Sequence, residues 1–204
     1  LCKKDVDGMF HRCFIQPTPY NEPNEKLLFY DFETDQSSKT HEPILCHMTW
    51  FKPEIDTWLE KSFWIKDIDD SNPDKPLPSV KERVGKFLCS KHFKGYTMIA
   101  HNMKAFDGCF LLQYMAENGV KPTPILSGLK IMALDLKPLQ IRFIDSLNFL
   151  TMTLASFEKS FGLQGCEKGH FPHFFSEPQN YEYKGQMPPI LKYGCDTMRA
   201  DVRA

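Results

Sequence analysis

The stretch Leu27-Leu28-Phe29-Tyr30-Asp31-Phe32-Glu33-Thr34 decides how the rest of the chain is read. It is an apolar run that ends in two carboxylates one residue apart. As a strand it sets Leu27, Phe29, Asp31 and Glu33 on one face and Leu28, Tyr30 and Phe32 on the other, with residues two apart separated by roughly 6.6 Å. Both faces are apolar until the acids arrive, the pattern of a central strand covered on both sides in an α/β sheet. Ligands in such sheets collect outside the strand ends, where these acids stand. Asp31 and Glu33 repel each other, and a hard divalent cation held by oxygen ligands is the usual remedy. A solvated strand exit with two ordinary acids is the plainer reading, so the pattern needs support from elsewhere.

Upstream, residues 1–26 carry Pro17, Pro19 and Pro23 with no sustained period and read as a lead-in. Downstream, Ile44 to Phe51 returns as a second strand, antiparallel to the first, and Trp58 to Ile65 as a third. The acidic, proline-rich segment from Asp67 to Pro78 is a surface loop. Ser79 opens a helix whose Val80, Val84, Phe87 and Leu88 fall on one stripe. Tyr96 to Asn102 is a short buried strand running into a polar corner. A helix begins near Phe106 and Asp107 with Phe110, Leu111, Tyr114 and Met115 inward, and Gly119 closes it. Ile125 to Leu134 and Gln140 to Leu147 read as two strands. Thr151 or Thr153 caps a further helix with Leu154, Phe157 and Phe161 inside, stopped at Gly162. Beyond Gln164 the sequence is aromatic, rich in proline and loop-like.

Length and composition fit this α/β reading. With 204 residues the chain is one large domain or two small ones, and 42% hydrophobic residues with 17 Phe argue against disorder. A net charge of −1 announces no overall basic field, although a polymer-binding cleft needs only local Lys and Arg. The seven cysteines are scattered and unpaired in spacing, as expected of free thiols in a reducing compartment. No apolar run is long enough to span a bilayer, and no secretory signal is present. The expectation is a soluble, intracellular monomer. The chain stops at Ala204 within a charged, helix-like phrase, which reads as an excerpt from something longer.

Several residues acquire meaning only together. Asp107 stands where a strand-to-helix corner would make it an N-cap, Asn102 could brace the turn, and His101 could be a structural histidine. Yet Tyr30-Asp31-Phe32-Glu33-Thr34, His101-Asn102-Met103-Lys104-Ala105-Phe106-Asp107-Gly108 and Phe143-Ile144-Asp145-Ser146-Leu147 occur in that order. Here the sequence resembles the 3′→5′ exonuclease domain of family B DNA polymerases, most closely the protein-primed branch of viruses, linear plasmids and mobile elements. The resemblance runs from about Lys26 to Tyr193.

It implies an RNase H-like α/β fold, a mixed central sheet flanked by helices, over residues 27–163. Residues 164–204 would be a loop-rich extension toward a third exonuclease motif and a polymerase domain. It implies that Asp31, Glu33 and Asp107 hold two divalent cations, Mg²⁺ or Mn²⁺, roughly 3.5 to 4 Å apart, for phosphodiester hydrolysis. Thr34, Asn102, Phe106, Ser146 and Leu147 match positions that hold a single-stranded 3′ end, with Phe106 and Leu147 wedged against bases. Lys168 matches the lysine that such exonucleases use near the scissile phosphate, and on its own reads as a surface lysine. The implied partners are DNA, as a single-stranded 3′ end or primer-template, and a terminal priming protein, with no membrane. The third motif, Tyr-x-x-x-Asp, is imperfect: Tyr193 to Asp196 is one residue short, and Asp201 has Thr197 where Tyr belongs. The complete motif is expected beyond Ala204, and the fragment alone would then bind metal weakly and cut poorly. Asp145, beside Ser146, reads as a structural residue before a metal ligand. Cys166, His170 and His173 suggest zinc, without a fourth ligand spaced for it. Two other readings stay open: a free-standing exonuclease, and an inactive module that binds single strands or a priming protein.

Overall fold

The computed structural model describes residues 22–35, 41–69, 72–165 and 171–194. Its strands are β1 (Leu27–Asp35), β2 (Glu42–Lys52), β3 (Thr57–Trp64), β4 (Thr97–Ala100), β5 (Thr123–Ser127), β6 (Lys130–Leu136) and β7 (Ile141–Asp145). Three α-helices accompany them: α1 (Val80–Leu88), α2 (Asp107–Glu117) and α3 (Phe157–Phe161). The strands form one mixed sheet in the order β3-β2-β1-β4-β7-β6-β5. β1, β4 and β7 are mutually parallel, while β2 runs against β1 and β6 against β7. The α/β expectation is met, and the carboxyl ends of the three parallel strands all lie at one end of the sheet.

Alternation along β1 buries Leu28, Tyr30, Phe32 and Thr34 and turns Phe29, Asp31 and Glu33 the other way. The buried face joins a single hydrophobic core with Met48 and Trp50 of β2, Met98 of β4 and Phe143 of β7. α1 and α2 cover it. A capping box at Ser79 and Glu82 starts α1, and its buried stripe is Val80, Val84 and Leu88. Phe87 meets Trp50 and Phe63 edge-on, and Phe110 of α2 meets Phe32 at 5.4 Å.

The two helices touch at Gly85, where a side chain has no room: a Cβ there would lie 2.2 Å from Cγ of Tyr114. Gly85→Ala is therefore expected to destabilise the fold by about 1–3 kcal/mol, the usual cost of overpacking. Thermal melting checks this, and Gly85→Ala should cost less when made in a Tyr114→Ala background if the clash is the cause.

Three expectations are corrected. β1 is not covered on both sides among the described residues, since Phe29 remains 39% exposed on the face away from α1 and α2. The run from Ile125 to Leu134 is not one strand but a hairpin, β5 and β6, turning at Gly128 with φ +60°; its Leu129 is fully exposed. The helix after Thr153 is a 3₁₀ turn (Leu154–Ser156) leading into only five residues of α3. So short a helix cannot turn all its apolar residues to one side, and Leu154 and Phe161 stay exposed while Phe157 is half-buried. Gly162 stops it in the left-handed conformation, φ 67°, as expected. Among the described residues no helix is long and apolar enough to cross a membrane, and Cys46, Cys89 and Cys109 are free.

Candidate active site

The parallel pairing of β1 with β4 stops at Phe29 opposite Ile99. Phe32 lies past that point, so its backbone N–H needs another acceptor. Asp107 supplies one: its Oδ1 accepts from the Phe32 N–H at 3.1 Å, in a buried bond that spans 75 residues of sequence. This overturns the capping role expected for Asp107. It is the first residue of α2, the cap position belongs to Phe106, and no side chain caps the helix there. The carboxylate leaves the helix and grips the strand, between the two residues that carry Asp31 and Glu33.

Asp107 is 4% exposed. Burial first, and then the negative charge of Asp31, push its carboxyl up to about 7. Its own backbone N–H and that of Phe32 pull the other way without cancelling the rise. A carboxyl whose folded pKa lies above its unfolded one favours the folded state while protonated. That contribution is lost as pH climbs from about 4 through about 7. Asp107→Asn, which keeps the acceptor and drops the charge, should therefore be more stable than the parent at pH 8, by up to about 4 kcal/mol. The gap should close by pH 4, and paired melting curves at the two pH values measure it.

At the ends of β4 and β7 the organising group is Asp145. It is completely buried and accepts three backbone N–H bonds: from Asn102 at 2.9 Å, Lys104 at 3.0 Å and Leu147 at 2.9 Å. All its bonds go to the main chain, so Asp145 is a brace, as the sequence suggested. It holds Asn102 in the left-handed conformation, φ 66°, with its side chain exposed. Beside it the Ser146 hydroxyl donates to the Ala100 carbonyl at 3.3 Å and stands 3.0 Å from His101 Nδ1. Phe106 and Leu147 are half-buried, Phe106 meeting Phe110 edge-on at 5.7 Å. Thr34 departs from expectation: it is 3% exposed and lies on the core side of β1, away from the acids. Lys168, Cys166 and His170 lie outside the described residues.

The structure adds His47, which the sequence did not single out, and gives His173 an unforeseen neighbour. His47 of β2 is the cross-strand partner of Asp31, and its Nδ1 lies 2.9 Å from the Ser62 hydroxyl of β3. Together with Phe29, Ile99, Leu150 and Phe157, His47 lines an open groove of about 320 Å³ that reaches Asp31 and Ser146. His173, considered above for zinc, lies with Nδ1 3.9 Å from Glu33 Oε2. Nearby the Tyr181 hydroxyl donates to Asp35 at 3.0 Å. His47 was within reach of the sequence once β1 and β2 were aligned. The approach of His173 to Glu33 was not, because nothing periodic precedes His173.

Asp31, Glu33 and Asp107 all offer carboxyl oxygens, the chemistry that suits Mg²⁺ or Mn²⁺. Among the described residues no group of three or more His, Cys, Asp or Glu side chains is gathered closely enough to hold a metal ion. Asp31 and Asp107 are near enough for the charge of one to act on the other.

The family described as "DNA polymerase type B, organellar and viral" matches residues 90–197, more than half of the chain, including the Asn102–Asp107 corner and the Asp145–Leu147 brace. The chain belongs to the type B DNA polymerases. A similar curated relative of this type B polymerase is a probable DNA polymerase of Agaricus bitorquis, 32% identical over 108 residues. That alignment covers 48% of this chain and 13% of the relative. Among solved structures, phi29 DNA polymerase complexed with single-stranded DNA has a TM-score of 0.56 at 18% identity, covering 78% of this chain and 27% of that one. Its ternary complex with primer-template DNA and incoming nucleotide gives the same values. The likeness to phi29 polymerase is one of fold, so this type B polymerase chain shares the α/β architecture of part of that enzyme and spans only a fraction of either relative's length.

Proposed function

We propose that the chain is the proofreading portion of a type B DNA polymerase of the protein-primed kind, hydrolysing the 3′-terminal phosphodiester of single-stranded DNA. The observation that carries this reading is the bond from the Phe32 N–H to Asp107. It ties the acid of one expected motif to the strand that bears the other two. Asp31, Glu33 and Asp107 would hold two divalent cations, which when bound make water a nucleophile and stabilise the departing 3′ oxygen. Glu33 stands beside His173, a donor on the edge of the same site. Asp145 fixes the corner that presents Asn102 and Phe106, and Ser146 and Leu147 follow directly on it. These groups would receive the last nucleotides of a strand by stacking and backbone contacts, indifferent to sequence. Lys168 is proposed to balance charge on the scissile phosphate.

The whole protein's nucleotidyl transfer, its primer-template and its terminal priming protein belong to the same proposal. The reading is tested by following a 3′-labelled single strand with Mg²⁺ or Mn²⁺: mononucleotides released from the 3′ end support it. One observation favours a second reading, an inactive single-strand binder: no three-ligand cluster stands ready among the described residues. Binding of the strand without release of nucleotides would decide for that alternative.

A further inference from the structure

We propose that Tyr181 is a positioning residue for the edge of the active site at Glu33, acting through a tied loop that keeps His173 beside that carboxylate. The proposal rests on the nuclease reading above. The loop is closed at its base: the Phe174 N–H donates to the Lys192 carbonyl at 3.0 Å, and Lys192 Nζ donates back to the Phe174 carbonyl at 3.3 Å. Asn180 Nδ2 donates to the Phe175 carbonyl at 2.8 Å and Phe175 meets Tyr183 at 4.9 Å, so the loop is braced internally. A closed, braced loop moves as a unit and is placed by whatever anchors it outside itself.

Those anchors converge on the carboxyl end of β1 and the neighbouring end of β3. The Tyr181 hydroxyl donates to Asp35 Oδ2 at 3.0 Å, and its ring lies against Trp64 at 5.5 Å. Glu182 pairs with Lys66 at 3.3 Å, but both are exposed, so that pair contributes little. Asp35 is two residues beyond Glu33 on the same strand, and His173 immediately precedes the loop's tied base. Tyr181 to Asp35 and His173 to Glu33 are thus two contacts of one loop on alternate residues of one strand. Of the contacts named here, removing the first leaves the loop the Trp64 ring contact and the exposed, far weaker Lys66–Glu182 pair.

Tyr181→Phe removes the hydroxyl and keeps the ring against Trp64. In the full-length protein we expect it to raise the Mn²⁺ concentration needed for half-maximal hydrolysis about tenfold, the loss of one hydrogen bond to a charged group. The KM for the strand should stay within about twofold. Asp35→Ala, which removes the acceptor, should give a change at least as large, and adding Tyr181→Phe to it should cause no further loss, since both break one contact. Tyr183→Phe, whose hydroxyl donates only within the loop to Gln186, is the control and should match the parent. A Tyr181→Phe protein with the parent's Mn²⁺ dependence, or a Tyr183→Phe protein with the same defect, overturns the positioning role. Should Tyr181→Phe fail to fold, Asp35→Ala carries the same test. Loss of hydrolysis in Asp31→Ala alongside an unaffected Tyr181→Phe sinks this inference alone, whereas an active Asp31→Ala sinks the nuclease reading beneath it.

Discussion

Asp31→Ala is expected to reduce release of nucleotides from a single-stranded 3′ end by roughly a thousandfold or more while leaving the melting temperature close to that of the parent. The two halves of this expectation come from different features. Asp31 is exposed, on the face of β1 away from the core, so its removal empties no packed space. Its negative charge raises the carboxyl of Asp107, so removing it relieves repulsion. A residue whose loss is structurally cheap and chemically ruinous is one kept for its reaction. Hydrolysis on a 3′-labelled strand and a melting curve in the same buffer measure both halves. A second readout needs no turnover: Mg²⁺ should raise the parent's melting temperature at pH 8, because an ion bound to the folded chain alone stabilises it, and should do so far less in Asp31→Ala. Activity equal to the parent's would refute the role given to Asp31.

The largest loss of stability is expected at Asp145. In Asp145→Ala the backbone N–H groups of Asn102, Lys104 and Leu147 lose their acceptor at once. Each buried donor left unmade costs about 1–3 kcal/mol, so the total is of the order of 3–5 kcal/mol once some reach water. That is a large share of the stability of an ordinary domain. Asp145→Asn keeps one side-chain oxygen and should lose less. Denaturant unfolding orders the series as parent, Asn, Ala. If Asp145 were instead a metal ligand, its removal would spare the fold of the metal-free protein and affect only the metal-dependent readouts.

How much of this the sequence disclosed depends on whether the deciding contact is local. Asp31 and Glu33 were legible because alternation along one strand is enough to place them on a common face. The α1 cap at Ser79 and the stop at Gly162 were legible for the same reason, each needing only its own neighbours. Asp107 was found by its motif, but its partner was not. The Phe32 N–H is available only because the β1–β4 ladder ends at Phe29, and a parallel register between distant strands leaves no local mark. The hairpin at Gly128 was missed because Ile125, Leu126, Leu129 and Ile131 form a near-continuous apolar run that masks the Ser127-Gly128 turn signal. Thr34 was grouped with the acids through its motif, while strand alternation, readable from the start, sets it on the opposite side.

The order of strands has a kinetic corollary. Antiparallel β1, β2 and β3 can zip from short turns within microseconds, whereas joining β1 to β4 and β4 to β7 requires long segments of chain to close first. The acid-bearing strand is therefore expected to form well before its partner acid arrives from α2, and the site proposed for hydrolysis should be among the last parts of the chain to assemble.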